Sequence, residues 1–201
     1  MLKELDGSSI TRFHSFALSS SESSDPEDAG PTDAWFWIKA NHHYNRRLWH
    51  EEDKARRTDV DPAEIAASKR LIDKYNQKRN DAIEAIDKAI LTELSAVPHA
   101  ADARLNSETA GAMIDRLSIL SLKIFHMRLQ TERDDVDADH IETCRAKLQR
   151  LFIQRRDLAS CLDDLLAEAA AGRAYFKLYR QFKMYNDPAL NPYLHGSGRG
   201  A

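Results

Sequence analysis

The chain's 201 residues suffice for one sizeable domain with a genuine core. Of these residues 42% are hydrophobic, and the formal net charge is −3, with Lys and Arg interspersed among acids; nucleic acid is therefore not expected as a partner. No apolar run approaches the roughly 20 residues of a membrane span, so no membrane insertion is expected either.

Residues 10–18 come nearest to a leader, but Thr11, Arg12, His14 and Ser15 break the run, and a cytoplasmic address follows. The stretch FALSSSESSDPEDAGP is Ser-rich and acidic. It predicts that residues 1–31 lie outside the folded domain and are largely disordered, most of all over 19–30. Thr32 or Asp33 then caps a first long helix over about 33–57. Asp61, Pro62 and Glu64 supply the cap, the N1 proline and the N3 acid of a second over about 62–96.

A third helix spans about 108–131. Its apolar residues cover two sides, Met113, Leu117, Leu120 and Ile124 on one and Ile119, Leu122 and Leu129 on the other, which places it in mid-bundle. A fourth runs over about 137–171 and ends at Gly172 as its C′ residue; a short fifth, about 173–185, stops at Asn186, Asp187 and Pro188. The Asn before Asp187-Pro188 and the Asn191-Pro192 pair read as Asx-turns, or as a lid over a site. No strand-like alternation and no internal repeat occur. The fold class is all-α: a single bundle of four to five long antiparallel helices over 32–186, then an irregular tail over 187–201.

Cys144 and Cys161 lie 17 residues apart on one predicted helix, about 25 Å at its rise, too far to bridge. Neither has metal-ligand spacing. Both read as small core hydrophobes in a reducing compartment.

Polar residues stand where a core should be. On the second helix, at about 100° per residue, Gln77, Asn80, Glu84 and Asp87 fall within about 40° of Asp73. Ile65, Ile72, Ile83, Ile86 and Ile90 form an apolar stripe roughly 100° away. On the first helix, Trp35, Ile38, His42, Asn45, Glu52, Asp53 and Arg56 lie within about 60° of Trp49. Trp rarely faces water, so its neighbours are expected to be at least partly buried. A buried carboxylate among them demands a metal, an Arg or a ligand. Trp49 itself is either core or a platform for a base or sugar ring.

On the fourth helix Arg155 interrupts the apolar stripe of Cys144, Leu148, Leu151, Leu158, Leu162 and Leu165. A guanidinium there is expected to meet Glu52, Asp53, Glu84, Asp87 or Asp115. It serves either as a structural ion pair that sets helix register or as an Arg that holds phosphate or orients metal ligands. Asp115 and His126 share the second apolar face of the third helix, as satisfied buried groups or as ligands. The pairs Arg46-Arg47, Arg56-Arg57 and Arg155-Arg156 read as half-solvated helix positions rather than a phosphate track. No Glu-x-x-His motif, Gly-rich phosphate loop or activated nucleophile occurs.

Several runs are long and specific. They are Asn45-x-x-Leu48-Trp49-His50-x-Glu52-Asp53-x-Ala55-Arg56, Lys69-Arg70-x-Ile72-Asp73, and Asn76-Gln77-x-Arg79-Asn80-Asp81-x-Ile83-Glu84-x-Ile86-Asp87. With Arg104-Leu105-Asn106-Ser107-Glu108-Thr109, Met113-Ile114-Asp115-Arg116-Leu117-Ser118-Ile119 and Lys183-Met184-Tyr185-Asn186-Asp187-Pro188, they resemble a bacterial domain-of-unknown-function family over about 35–194. The resemblance implies a helical bacterial protein with no established activity, encoded near glycosyltransferase and cell-envelope genes. Glu84-Ala-Ile-Asp87 also resembles half of the metal motif of MazG-like nucleotide pyrophosphohydrolases. The other half, Glu-x-x-Glu, has no counterpart in His50-Glu51-Glu52-Asp53.

Two functions follow as expectations. In the first, Glu52, Asp53, Glu84 and Asp87 hold Mg²⁺ in a groove between the first two long helices. Arg56, Arg79 and Arg155 then neutralise a phosphorylated ligand, a nucleotide or sugar nucleotide, and Asn45, Trp49 and Asn80 position it. In the second, the chain is a non-catalytic interaction protein of the envelope-sugar machinery, and its polar stripes are a self-satisfied network. Both leave homo-oligomerisation open.

Overall fold

The computed structural model describes residues 5–20, 33–180 and 189–191. Five helices occur among these residues: α1 (Gly7–Ser19), α2 (Ala34–Ala55), α3 (Pro62–Leu94), α4 (Ala110–Thr131) and α5 (Ala138–Ala170). Two two-residue strands, β1 (Arg104–Leu105) and β2 (Ala174–Tyr175), pair in parallel, Arg104 opposite Ala174 and Leu105 opposite Tyr175. Each helix starts on a side chain that satisfies a free N–H of its first turn. Asp6, Asp33, Asp61, Thr109 and Asp137 accept from Ser9, Trp35, Ala63, Ala112 and His140. At the far end of α5, Gly172 takes a φ of 72°, and a Cβ there would collide with the carbonyl oxygen of Pro98.

The third long helix is central, as its two apolar faces require. α4 packs against all four other helices. Its Ile114 and Leu117 are buried in one core with Ile38 of α2, Ile86 and Ile90 of α3 and Leu162 of α5. A second apolar cluster, with Tyr44 and Leu48 against Ile72 and Tyr75, seals α2 on α3. Of the two cysteines Cys144 is buried as expected. Cys161 is exposed, because it lies beside the stripe that carries Leu158, Leu162 and Leu165 rather than on it.

Two elements differ from the sequence reading. Residues 7–19, expected within a disordered segment, form α1, which joins the bundle. Leu5 and Ile10 enter the main core, the Gly7 N–H donates to Asp163 Oδ1 at 2.7 Å, and Arg46 Nη1 caps the far end by donating to the Ala17 carbonyl at 2.8 Å. Of the polar residues that break the leader-like run, Arg12 and Ser15 are exposed and Thr11 half-buried on the outer side of an amphipathic helix, whereas His14 is buried. The acidic Ser-rich stretch over 21–30 lies outside the described residues, as do 186–188 and 192 of the proposed turns. The expected short fifth helix is also absent over 173–180. There the chain is extended, because its carbonyls pair with the α3–α4 connection: Arg104 N donates to Arg173 O and Asn106 N to Tyr175 O. Phe176 is buried against the core as a result.

Two packing details carry titratable groups. α3 and α4 approach closely at Gly111, where a Cβ would sit 2.6 Å from the Ile83 carbonyl oxygen and 2.9 Å from Asp87 Oδ1. Asp87 uses that closeness: its buried carboxylate accepts the Gly111 N–H at 2.6 Å, at the positive end of α4. Burial nonetheless raises its pKa to about 6, against the lowering effect of hydrogen bonds from Thr109 and Gly111. Under α1, His14 and His42 stack at 4.5 Å and 22°, both buried. Among the described residues neither ring nitrogen of His14 has a hydrogen-bond partner, nor has His42 Nε2. Burial holds both imidazoles neutral, His14 well below the usual range and His42 at about 3, with Arg155 acting on His14 and Arg46 and His43 on His42 in the same direction.

Gly111→Ala should cost about 1–3 kcal/mol, as overpacking does, and lower the midpoint of urea unfolding without changing its slope. Acid should destabilise the fold. Unfolded, His14 and His42 take up protons near pH 6.5, whereas folded they do not, so each removes up to about 1.4 kcal/mol per pH unit as pH falls below that value. Asp87 acts oppositely. Its folded pKa is raised, so it gains a proton in the fold before the unfolded chain does, and it returns a similar slope between about pH 6 and 4. Two histidines against one carboxyl leave a net loss between pH 7 and 5, measurable as a falling urea midpoint. His14→Leu should flatten the fall; a midpoint independent of pH would contradict it.

Candidate functional site

α2 presents Asn41 and Asn45 one turn apart toward α4, and α4 answers with Asp115 and Ser118. The Asp115 carboxylate is buried and accepts from Asn41 Nδ2 at 2.8 Å and Asn45 Nδ2 at 2.9 Å. Asn45 also reaches Ser118 Oγ at 3.0 Å, and His42 Nδ1 shares a hydrogen bond with that oxygen at 2.8 Å. A carboxylate out of water costs several kcal/mol unless donors surround it; here two amides do so. Arg79 of α3 completes the charge balance, its Nε 3.8 Å from Asp115 Oδ1. That Nε is buried and makes no hydrogen bond among the described residues, and Nη2 meets Asn80 Oδ1 only at 3.5 Å. The guanidinium is therefore short of acceptors.

Outward from this network opens a cavity of about 340 Å³ between α2, α3 and α4. Six of the ten sequence-derived site residues line it: Asn45, Trp49, Glu52, Asp53, Arg56 and Arg79. Leu48, Ile119 and Leu122 form its apolar wall. At the mouth Arg56 Nη2 pairs with Glu52 Oε2 at 3.1 Å, both well exposed, so the pair is worth little and yields easily. Trp49 is neither plain core nor free. Its ring lies parallel to that of His126, 4.4 Å away with 6° between planes, and burial lowers the His126 pKa while Asp53 opposes.

The other four site residues lie elsewhere. Asn80, the residue after Arg79 on α3, is buried and does not line the cavity. Asp87 serves the start of α4, and Glu84 stands close enough to add to the rise in its pKa. Arg155 meets no acid among the described residues. It donates to Ser15 Oγ of α1 at 3.0 Å and Ser121 Oγ at 3.2 Å and lies 5.8 Å from the Phe152 ring centre. The expected meeting of Glu52, Asp53, Glu84, Asp87 and Arg155 does not form. The acids of α3 lie beyond the cavity along the helix, and α1 covers the Arg. Among the described residues no group of three or more His, Cys, Asp or Glu side chains is set to hold a metal ion.

Asn41, Asn76 and Ser118 were not singled out by the sequence. Asn41 lies about 80° from Trp49 and Asn76 about 60° from Asp73, each outside the arc used to define its stripe. Their signal was the Asn41–Asn45 repeat at i, i+4. The acid of the Glu51-Glu52-Asp53 run that is buried is Glu51, which turns away from the cavity toward α3 and pairs with Lys54 at 3.0 Å.

Among the described residues no helix is long and apolar enough to cross a membrane. No curated protein and no solved structure matches the chain. One family model, described as a protein of unknown function (DUF4254), matches residues 35–178, from the start of α2 to just past β2. The chain therefore belongs to the DUF4254 family.

Proposed function

We propose that the α2–α3–α4 cavity binds a small phosphorylated ligand, of the size of a sugar phosphate or mononucleotide, and that binding is the protein's role. The supporting observation is Arg79, whose guanidinium stands at the cavity wall short of hydrogen-bond acceptors, beside a ring and two amides. Phosphate is the planar fork's natural acceptor, and Asn45, Asn76 and Trp49 would hold the uncharged remainder. The volume lies at the low end of the roughly 300–1,000 Å³ typical of ligand pockets. A divalent cation would arrive with the ligand rather than before it. Glu52 and Asp53 supply two carboxylates, the number Mg²⁺ uses when phosphate oxygens complete its shell. Hydrolysis is not included in the proposed role, because Glu84 and Asp87 stand away from the cavity.

The competing role, an interaction protein with a purely structural polar network, is favoured by the closure of Asn41, His42, Asn45, Asp115 and Ser118 on one another. Thermal shift and calorimetry against sugar phosphates, nucleoside monophosphates and sugar nucleotides, with and without Mg²⁺, separate the two. At least one compound should bind below millimolar. Arg79→Met should weaken it roughly 10- to 100-fold, the worth of a charged hydrogen bond, and should also lower the unliganded melting temperature, because Asp115 loses its charge partner. No binding by any of them, or equal binding by the Arg79→Met variant, would leave the interaction role.

A further inference from the structure

A second groove shares only Trp49 and Asp53 with the cavity. It lies between α4 and α5, closed below by Trp49, with a volume of about 520 Å³. Three cations line it, Lys123 from α4 and Lys147 and Arg150 from α5. None has an ion pair among the described residues, whereas Arg56, Arg116, Arg133 and Arg173 each meet a carboxylate. Sequence supplies the reason: no acid stands three or four residues from any of the three on its own helix. Asp53 is the one acid on the wall, so positive charge is in surplus here in a chain whose net charge is −3.

Between the cations the lining is flat and apolar, with the Trp49–His126 stack flanked by Met127 and Leu151. Phe125 sets its edge against His126 at 5.3 Å and 89°, which holds the stack in place. Because burial lowers the His126 pKa, the stack is uncharged at neutral pH. The Arg155–Ser121 contact fixes the antiparallel register of α4 and α5. Lys123 then lies level with Gln154, and Gln130 with Lys147, so polar groups close both ends of the apolar middle. An acyl chain would need an apolar exit. A flat ring with a hydrogen-bonding edge and a charged tail does not.

We infer that this groove is a separate binding site for a nucleoside polyphosphate, its base against the Trp49–His126 stack and its phosphates on Lys147 and Arg150 of α5, with Lys123 at the opposite end. Aromatic rings accept any base on their faces, and clustered Lys and Arg hold a phosphate chain without a Gly-rich loop. The inference does not depend on what the α2–α3–α4 cavity binds.

Titration of the full chain with ATP, AMP, inorganic triphosphate and dodecyl phosphate, by calorimetry and tryptophan fluorescence, tests it. ATP should bind at least about tenfold more tightly than either AMP or triphosphate, since ring and phosphates both contribute, and more weakly as salt rises. Lys147→Glu/Arg150→Glu should weaken ATP at least about 30-fold by reversing charge at exposed positions, with an unchanged melting temperature. Arg79→Met should leave ATP affinity within about twofold, as expected of an independent site. Absence of ATP binding, triphosphate equalling ATP, or dodecyl phosphate binding more tightly would each overturn the inference. So would a loss in Arg79→Met as large as in the double variant, which would place the nucleotide in the cavity.

Discussion

The structure is organised by one buried charge. Asp115 sits on the central helix with its carboxylate out of water, and an acid in that position must be surrounded by donors or it unfolds the site around it. Two amides of α2 supply the neutral share of that surround, and Arg79 of α3 supplies the charge. Each of these groups reaches Asp115 in only one register of its helix. The network therefore fixes how α2, α3 and α4 lie against one another, a task that apolar side chains alone perform loosely. It also fixes where the network stops: Arg79 is drawn toward Asp115 but not consumed by it, and the cavity opens at that point.

The polar residues of the bundle thus divide into a closed inner set and an open outer set. Asn41, Ser118, Asp115 and His42 Nδ1 bond within the network and do not line the cavity. Asn45 belongs to both sets, since it holds Asp115 and lines the cavity. A turn further along α2, Trp49 has a similar double role, stacked on His126 yet facing both the cavity and the groove between α4 and α5. The family match begins at Trp35, so α1 lies outside the matched stretch. Even so, α1 covers the His14–His42 pair and supplies the hydroxyl that Arg155 meets.

Much of this was legible in the sequence because helix ends and helix faces are local. Asp33, Asp61 and Gly172 act as the cap residues they resemble, and the two-sided apolar pattern of α4 gave its central place. The α2 stripe from Asn45 to Arg56 also converged as its spacing implied. The α3 stripe did not. Asp73 and Gln77 share an arc with Asn80 and Asp87, but Lys69 and Asp81 on the same helix satisfy them at the surface. The turn angle alone does not tell a solvated polar edge from a buried one. Arg155 misled for a different reason. A guanidinium in an apolar stripe was expected to find acids, and it found two hydroxyls and an aromatic ring, one of those hydroxyls on a helix hidden in a Ser-rich stretch.

The coupling between Asp115 and the α2 amides underlies all of this, and a double-mutant cycle measures it without reference to any ligand. Unfolding free energies of the wild type, Asn45→Ala, Asp115→Ala and the double variant give the interaction directly. A coupling of about 1–3 kcal/mol is the result expected of a buried, hydrogen-bonded pair that sets the register of two helices. Additivity to within about 0.5 kcal/mol would show that the carboxylate and the amide act independently, and the organising role assigned to Asp115 would fail.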